Sequence, residues 1–389
     1  MLVNLGDLPG LEGQRCAALE GELERILAER VPTYSSFGVC SLVEAMEELQ
    51  GEAPPLDTLD VEGGTLLMLA SKCGLLRVVK SFLFHGHPIE ATDESGWNAL
   101  TYAAVNGQAS VVRALLLYGA TVNGVTSTGM TALHYAAMNS SDDTWGDYTK
   151  ISHLLIEAGA KVNALCHSNW SPLHECCNTH NSCIAFLLLR NGADFRLKTN
   201  EGDTAMHLVC QDNYDAYGDD VLSIMCALGA DPCAANSEGR TPLHCATEQM
   251  GGRGLVETLY KFFPKLYLSP KDTIGNTPLH HVPEDRNTTF EWLLQNGADP
   301  NATNMDGDTP LHMFASHSDS VVYEDGHLSA GLLCIHKLLA KGVPLECKNK
   351  AGMTAMDEAV TAGLPSVVGL LENEVRSFLL RPWHRSAKI

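Results

Sequence analysis

The sequence predicts an all-α solenoid, a stack of helix-turn-helix units, and three features predict it. A seven-residue block recurs nine times along the 389 residues: TLLMLAS from Thr65, NALTYAA from Asn98, TALHYAA from Thr131, SPLHECC from Ser171, TAMHLVC from Thr204, TPLHCAT from Thr241, TPLHHVP from Thr277, TPLHMFA from Thr309 and TAMDEAV from Thr354. The starts are spaced by 33, 33, 40, 33, 37, 36, 32 and 45 residues, the step of one supersecondary unit repeated. Most copies run on into an apolar stretch that closes on Gly-Ala, at Gly119-Ala120, Gly159-Ala160, Gly192-Ala193, Gly229-Ala230 and Gly297-Ala298.

Each element follows in order from its residues. Between Gly13 and Val31, the spacing of Leu19, Leu23, Ile26 and Leu27 predicts an amphipathic helix lying on the end of the stack. After Val39, LVEAMEELQGEAPPLDTLD aligns with the second helix and turn of a repeat, a half-repeat that caps the N-terminal face with Glu44, Glu47 and Glu48 toward solvent. Within each block Thr or Ser serves as N-cap, and Pro fits the first turn, where its missing N–H costs nothing. Small Ala or Cys residues then let neighbouring helices approach. Runs such as Val111, Val112, Leu115 and Leu116 give the second helix one apolar face, and Gly119 and its counterparts supply the left-handed residue that ends it. One unit cannot bury its face alone, so stacking supplies the core. Gly251-Gly252-Arg253-Gly254 reads as a flexible inter-helix loop. In repeat six Phe262, Phe263, Pro264 and Lys265 replace the closing Gly-Ala, which predicts a bend between repeats one to five and seven to nine. Val367, Val368, Leu370 and Leu371 form the last second helix, and a basic tail follows.

The T-P-L-H-x-A core at a period near 33 resembles the ankyrin repeat, over about residues 61 to 375. The resemblance implies about nine repeats in that span, a helical extension and half-repeat cap over residues 1–60, and a C-terminal tail over 376–389. It implies an intracellular, non-enzymatic scaffold or adaptor that binds other proteins through a concave groove. It also implies that the block histidines, His134, His174, His207, His244, His280 and His312, make structural hydrogen bonds between helix and adjacent turns rather than doing chemistry.

Individuality lies where the repeats deviate. Extra residues fall between first and second helices around Ser140 to Tyr148, Asp212 to Asp220, Gly251 to Gly254 and Ser316 to Gly331. In the ankyrin arrangement these lie along one edge, opposite the hairpin turns. Three of the four pair acids with aromatics, notably Trp145, Tyr148, Tyr214, Tyr217 and Tyr323. One reading is an acidic ridge with aromatic anchors for a basic partner; the other is solvated loops at sites that tolerate insertion. A second candidate surface is the residue after each turn glycine, which in ankyrin-like proteins projects into the groove. Trp97, Met130 and Trp170 stand there first, with Met138 and Asn139 nearby, and Asn169 takes the glycine position before Trp170. Asp203, Arg240, Asn276 and Asp308 follow, so the groove turns from apolar to polar. The aromatics either dock a peptide or helix, or fold back on neighbouring hairpins.

Chemistry finds little support. Cys176, Cys177, His180 and Cys183 have a spacing compatible with a metal, but consecutive helical residues point about 100° apart, so the structural reading is preferred over a metal protein or enzyme built on this cluster. No phosphate-binding loop, nucleophile elbow or H-E-x-x-H is found, and no cofactor is expected. The net charge of −21 disfavours nucleic acid and anionic membranes and favours basic protein partners. Thirteen scattered cysteines argue for reduced thiols inside a cell, and no secretory signal or membrane-length apolar run is seen. Sequons at Asn139, Asn287 and Asn301 are therefore read as accidental. The expected location is cytoplasmic or nuclear and the expected state monomeric. Ala387-Lys388-Ile389, behind Arg381, His384 and Arg385, resembles a degenerate peroxisomal address. A substrate-recognition subunit of a larger assembly such as a ubiquitin ligase is the alternative within the binding class.

Overall fold

A computed structural model describes residues 65–139, 145–211, 217–249, 252–283, 286–317 and 329–380. The predicted N-terminal helix and half-repeat cap, Tyr214, Tyr323 and the basic tail lie outside the described residues, as do the side chains of Trp145 and Tyr217. The chain divides between Asp194 and Phe195 into two units, after the fourth repeat rather than at the irregular sixth.

The N-terminal unit holds four helix pairs: α1 (Leu66–Lys72) and α2 (Leu76–Phe84), α3 (Ala99–Val105) and α4 (Ala109–Leu117), α5 (Ala132–Met138) and α6 (Trp145–Glu157), α7 (Pro172–Asn178) and α8 (Ser182–Arg190). First helices pack in one layer, α1 on α3, α3 on α5 and α5 on α7, while second helices pack in another, α2 on α4, α4 on α6 and α6 on α8. Ala103, Ala104, Ala136 and Ala137 are fully buried between the layers, where a larger side chain would hold the helices apart.

The C-terminal unit repeats this with five pairs: α9 (Ala205–Cys210) and α10 (Tyr217–Ala227), α11 (Pro242–Glu248) and α12 (Gly252–Phe262), α13 (Pro278–His281) and α14 (Asn287–Gln295), α15 (Pro310–His317) and α16 (Ala330–Ala340), α17 (Ala355–Thr361) and α18 (Pro365–Leu380). Here too the layers are continuous, α9 on α11, α13, α15 and α17 in turn, and α10 on α12, α14, α16 and α18 in turn. The sixth repeat keeps its place despite lacking Gly-Ala, since α12 packs on both neighbours and Tyr260 meets Trp292 edge to face at 5.3 Å.

Helix ends follow the sequence closely. The Ala after each closing glycine donates its N–H five residues back, as from Ala120 to the Leu115 carbonyl at 3.0 Å, which caps the helix because Gly119 sits at φ 90°. Two expectations change. Gly252, Arg253 and Gly254 form the first turn of α12 rather than a flexible loop. A Cβ on Gly252 would run into the Ala246 carbonyl oxygen, so the glycine serves close approach, and Arg253 pairs with Glu257 at 2.8 Å along the helix. The last helix continues to Leu380, past the residue 375 at which the tail was placed.

Between helix pairs the chain makes tight hairpins that stack on one another. Within the N-terminal unit the Ser127 N–H donates to the Ser95 carbonyl and the His167 N–H to the Thr128 carbonyl, both at 2.9 Å. The turn glycines are doubly required: Gly202 sits at φ 80°, and a Cβ there would lie 2.8 Å from the Ser237 nitrogen of the next hairpin. Asn169 replaces the glycine at φ 58°, a conformation Asn tolerates.

Candidate functional site

The groove side chains are set in place by the histidine ladder. His134 Nδ1 accepts from the Thr131 N–H at 3.1 Å, which leaves Nε2 as the protonated nitrogen; Nε2 donates to the Trp170 carbonyl at 3.1 Å. His207, His244, His280 and His312 reach the carbonyls of Arg240, Asn276, Asp308 and Met353 in the same way, at 3.0, 3.3, 3.1 and 3.3 Å. Each acceptor follows the left-handed turn residue of the next repeat, Asn169 before Trp170 and glycine before the others, so the ladder fixes the backbone of these groove residues. Burial drives the pKa of His134, His244 and His280 down to about 4, in keeping with neutral rings that connect two elements. Where the block lacks histidine, Met68 Sδ or Asp357 Oδ2 accepts the same N-cap N–H, at 3.3 and 2.9 Å.

In the N-terminal unit the groove is aromatic. The ring of Trp97 lies 5.2 Å from Tyr102 and 4.8 Å from Tyr135, the residues that follow the histidine position on α3 and α5. Trp97 therefore folds onto the tyrosines of its own and the next repeat, yet remains only half-buried, as do Met130 and Trp170. Trp170 lies 6.2 Å from His174, and Met138 is 38 % exposed at the end of α5. Tyr102 donates to Asp93 Oδ2 at 2.7 Å, and the Asn139 amide donates to the Tyr135 carbonyl at 2.7 Å, so the aromatic floor is anchored from beneath. Glu175 occupies on α7 the register position of Tyr135 on α5. It is buried, and burial raises its carboxyl to about 7.

The C-terminal unit fills the same positions with polar groups that satisfy one another. His281 Nε2 meets Asp272 Oδ2 at 2.8 Å and its Nδ1 meets Glu248 at 2.9 Å, while Glu248 also pairs with Arg240. Burial opposes charge on His281, but the two carboxylates outweigh it and raise its pKa; burial likewise opposes charge on Glu248, and its hydrogen bonds to His281 and Arg240 bring it down to about 2. Along the hairpins the amides of Asn236, Asn304 and Asn349 donate to Asp203, Asn276 and Asp308 at 2.8, 3.0 and 2.8 Å.

The remaining sequence candidates separate. Tyr148 is buried rather than exposed on a loop: it is 8 % exposed, its hydroxyl donates to the Val105 carbonyl at 2.8 Å, and its ring would touch a Cβ at Gly107 at 3.5 Å. The insertion before it ends in helix, because α6 begins at Trp145 and turns Tyr148 into the core while Asp147 stays exposed. Trp145 and Tyr217 each open a second helix. Cys176 and Cys177 are buried, with the Cys176 thiol donating to the Leu173 carbonyl at 3.2 Å, whereas Cys183 is exposed. Among the described residues no three His, Cys, Asp or Glu side chains cluster as metal ligands. Tyr102, Tyr135, Glu175 and His281 were missed as groove residues; the signal that marks them is variation at one position inside an otherwise constant block.

Comparison with known proteins gives one consistent result. Models of ankyrin repeats match residues 67–166, 128–199 and 173–267, and a further one matches 284–324. The human transient receptor potential cation channel subfamily A member 1 is 29 % identical over 222 residues, covering 56 % of this chain and 18 % of that protein. Human rabankyrin-5 is 26 % identical over 253 residues, 57 % of this chain and 20 % of its own length. The mouse protein phosphatase 1 regulatory subunit 27 is 29 % identical over 97 residues, 25 % of this chain and 60 % of that one. The chain thus spans about a fifth of the first two relatives. The crystal structure of the human ASB11 ankyrin repeat domain superposes with a TM-score of 0.52 at 23 % identity, over 61 % of this chain and 99 % of that domain.

Proposed function

Taking as premise that the chain belongs to the ankyrin repeat family, we propose that it is a non-enzymatic adaptor whose N-terminal unit binds a segment of a partner protein in its concave groove. Ankyrin repeats generally mediate protein–protein interaction, and one relative is a regulatory subunit of a phosphatase by name. The observation that carries the reading is the half-buried set of Trp97, Tyr102 and Trp170, floored by the buried ring of Tyr135, with Met130 and Met138 beside it. Such side chains dominate binding energy when a partner completes their burial, and they leave costly apolar surface otherwise. The net charge of −21 makes the partner a basic protein and disfavours nucleic acid. No helix among the described residues is long and apolar enough to cross a membrane. A monomer working in the cytoplasm or nucleus fits this role.

Affinity purification of the full chain against its Trp97→Ala/Trp170→Ala variant, with mass spectrometry of the bound proteins, tests the proposal. Loss of a specific set of partners from the variant is expected. An unchanged set would overturn the groove reading.

A further inference from the structure

Among the described residues three carboxylates are nine-tenths buried, on Glu175, Asp203 and Asp272. Two of them are fully engaged. Asp203 accepts from Asn236 at 2.8 Å and Gln211 at 3.4 Å, and Asp272 accepts from the N–H groups of Ile274 and Asn276 at 3.0 and 2.7 Å and from His281 at 2.8 Å. Glu175 is 8 % exposed and no hydrogen bond or ion pair holds its carboxylate among the described residues, while its oxygens, unlike the sealed Nε of Arg240, keep contact with solvent. A carboxylate largely desolvated without a protein partner, yet still open at its oxygens, is placed to receive a cationic ligand from solvent. Its place bears on that use. It follows the histidine position on α7, as Tyr102 and Tyr135 do on α3 and α5, and α7 packs directly on α5. Trp170, from the hairpin that leads into α7, lies beside its neighbour His174.

The geometry points to Glu175 as the counter-ion for one lysine or arginine of the bound segment, with the half-buried Trp170 receiving the apolar stem. This rests on the groove reading above and names the chemistry the groove selects. A cationic head donates hydrogen bonds to the Glu175 carboxylate, and its methylenes lie along the indole, where aromatic faces attract cations. The remaining groove aromatics take apolar side chains at either side. The occupant is therefore a segment with a single essential base set among apolar residues, rather than a polybasic stretch, and the acidic charge of the chain as a whole favours its approach.

The test is selection of 12-residue peptides displayed on phage against the full chain, then titration of the enriched consensus peptide by fluorescence anisotropy. The consensus is expected to hold one invariant Lys or Arg. Glu175→Gln is expected to weaken the peptide at least tenfold, and replacement of that base by norleucine is expected to weaken wild type equally while changing little in the Gln variant. Because the substitution removes an unpartnered buried charge, the Gln variant should unfold at the same temperature as wild type or higher, so weaker binding is not unfolding. Undiminished binding to Glu175→Gln, or a consensus without a base, overturns this inference; if Trp170→Ala still abolishes binding, the groove reading survives it. Enrichment of no peptide, or a self-association of the chain that Glu175→Gln removes, overturns it as well.

Discussion

At the position behind the turn glycine the N-terminal unit carries Trp97, Met130 and Trp170, whereas the C-terminal unit carries Asp203, Arg240, Asn276 and Asp308. The hairpin backbone is alike in both, held by histidines through the C-terminal unit and at Trp170, and by the hairpins' own bonds at Trp97 and Met130, so the difference is one of side-chain satisfaction. In the C-terminal unit Asp203, Asn276 and Asp308 are each held by an amide from the next hairpin and Asp272 by His281, while Arg240 pairs with Glu248 but keeps its Nε without a hydrogen bond. In the N-terminal unit the aromatics are half-buried and one carboxylate lacks a partner among the described residues. Repeat architecture permits this division of labour because stability resides in the invariant block and its stacking, which leaves the groove positions free to vary.

The largest effect expected from perturbing this contrast is in the C-terminal unit. His281→Leu leaves Glu248 with Arg240 alone and strips Asp272 of its imidazole partner, and breaking such a buried network should cost about 3–5 kcal/mol in urea unfolding. A loss below about 1 kcal/mol would mean the network adds little. Acid acts on both units through the ladder. The pKa values of His134, His244 and His280, near 4, lie below the unfolded value of about 6.5, so the unfolded chain binds the extra protons. Stability is full above pH 6.5 and declines as pH falls toward 4, by up to roughly 3 kcal/mol per histidine at ~1.4 kcal/mol for each tenfold change in proton affinity. His281 has the opposite sign: its raised pKa adds stability below about pH 6.5 that fades as pH rises through the folded value. Denaturant titrations across pH 4 to 8, comparing wild type with His281→Leu, separate the two contributions.

Smaller effects belong to the N-terminal groove. Tyr102→Phe removes the hydroxyl bond to Asp93 and should cost about 1 kcal/mol of stability, read by thermal unfolding. Met138→Ala, at 38 % exposure, should change stability by less than about 0.5 kcal/mol while weakening consensus-peptide binding several-fold. If it did the reverse, Met138 would be a core residue and the groove would end at Asn139.

Most of the scaffold was legible in the residues. The Thr and Ser caps, the Pro at the first turn, the closing Gly-Ala and the turn glycines each act over a few residues, so spacing alone reveals them. The structural role of the histidines follows from the resemblance to ankyrin repeats rather than from spacing, since their second bond reaches a carbonyl 28 to 41 residues on. What misled was composition. Gly252 looked like a loop glycine, but it stands in a helix because the Ala246 carbonyl comes too close for any Cβ. Tyr148 looked like an exposed anchor beside acids, but the insertion ends in an added turn of α6 that carries the ring into the core against Gly107.

The sequence by itself determined the repeat, its helices and caps and the change from apolar to polar residues behind the turn glycines, because each depends on short-range periodicity, and the family resemblance added the structural role of the histidines. Only the tertiary structure decided which groove groups are satisfied. Asp272, Glu248, His281 and Arg240 come from two successive repeats, and their union depends on side chains that reach across the stack. Glu175 reads in sequence like any other acid at a variable position; that it is buried with no partner for its carboxylate among the described residues follows from what its neighbours on adjacent helices offer, which no spacing along the chain records.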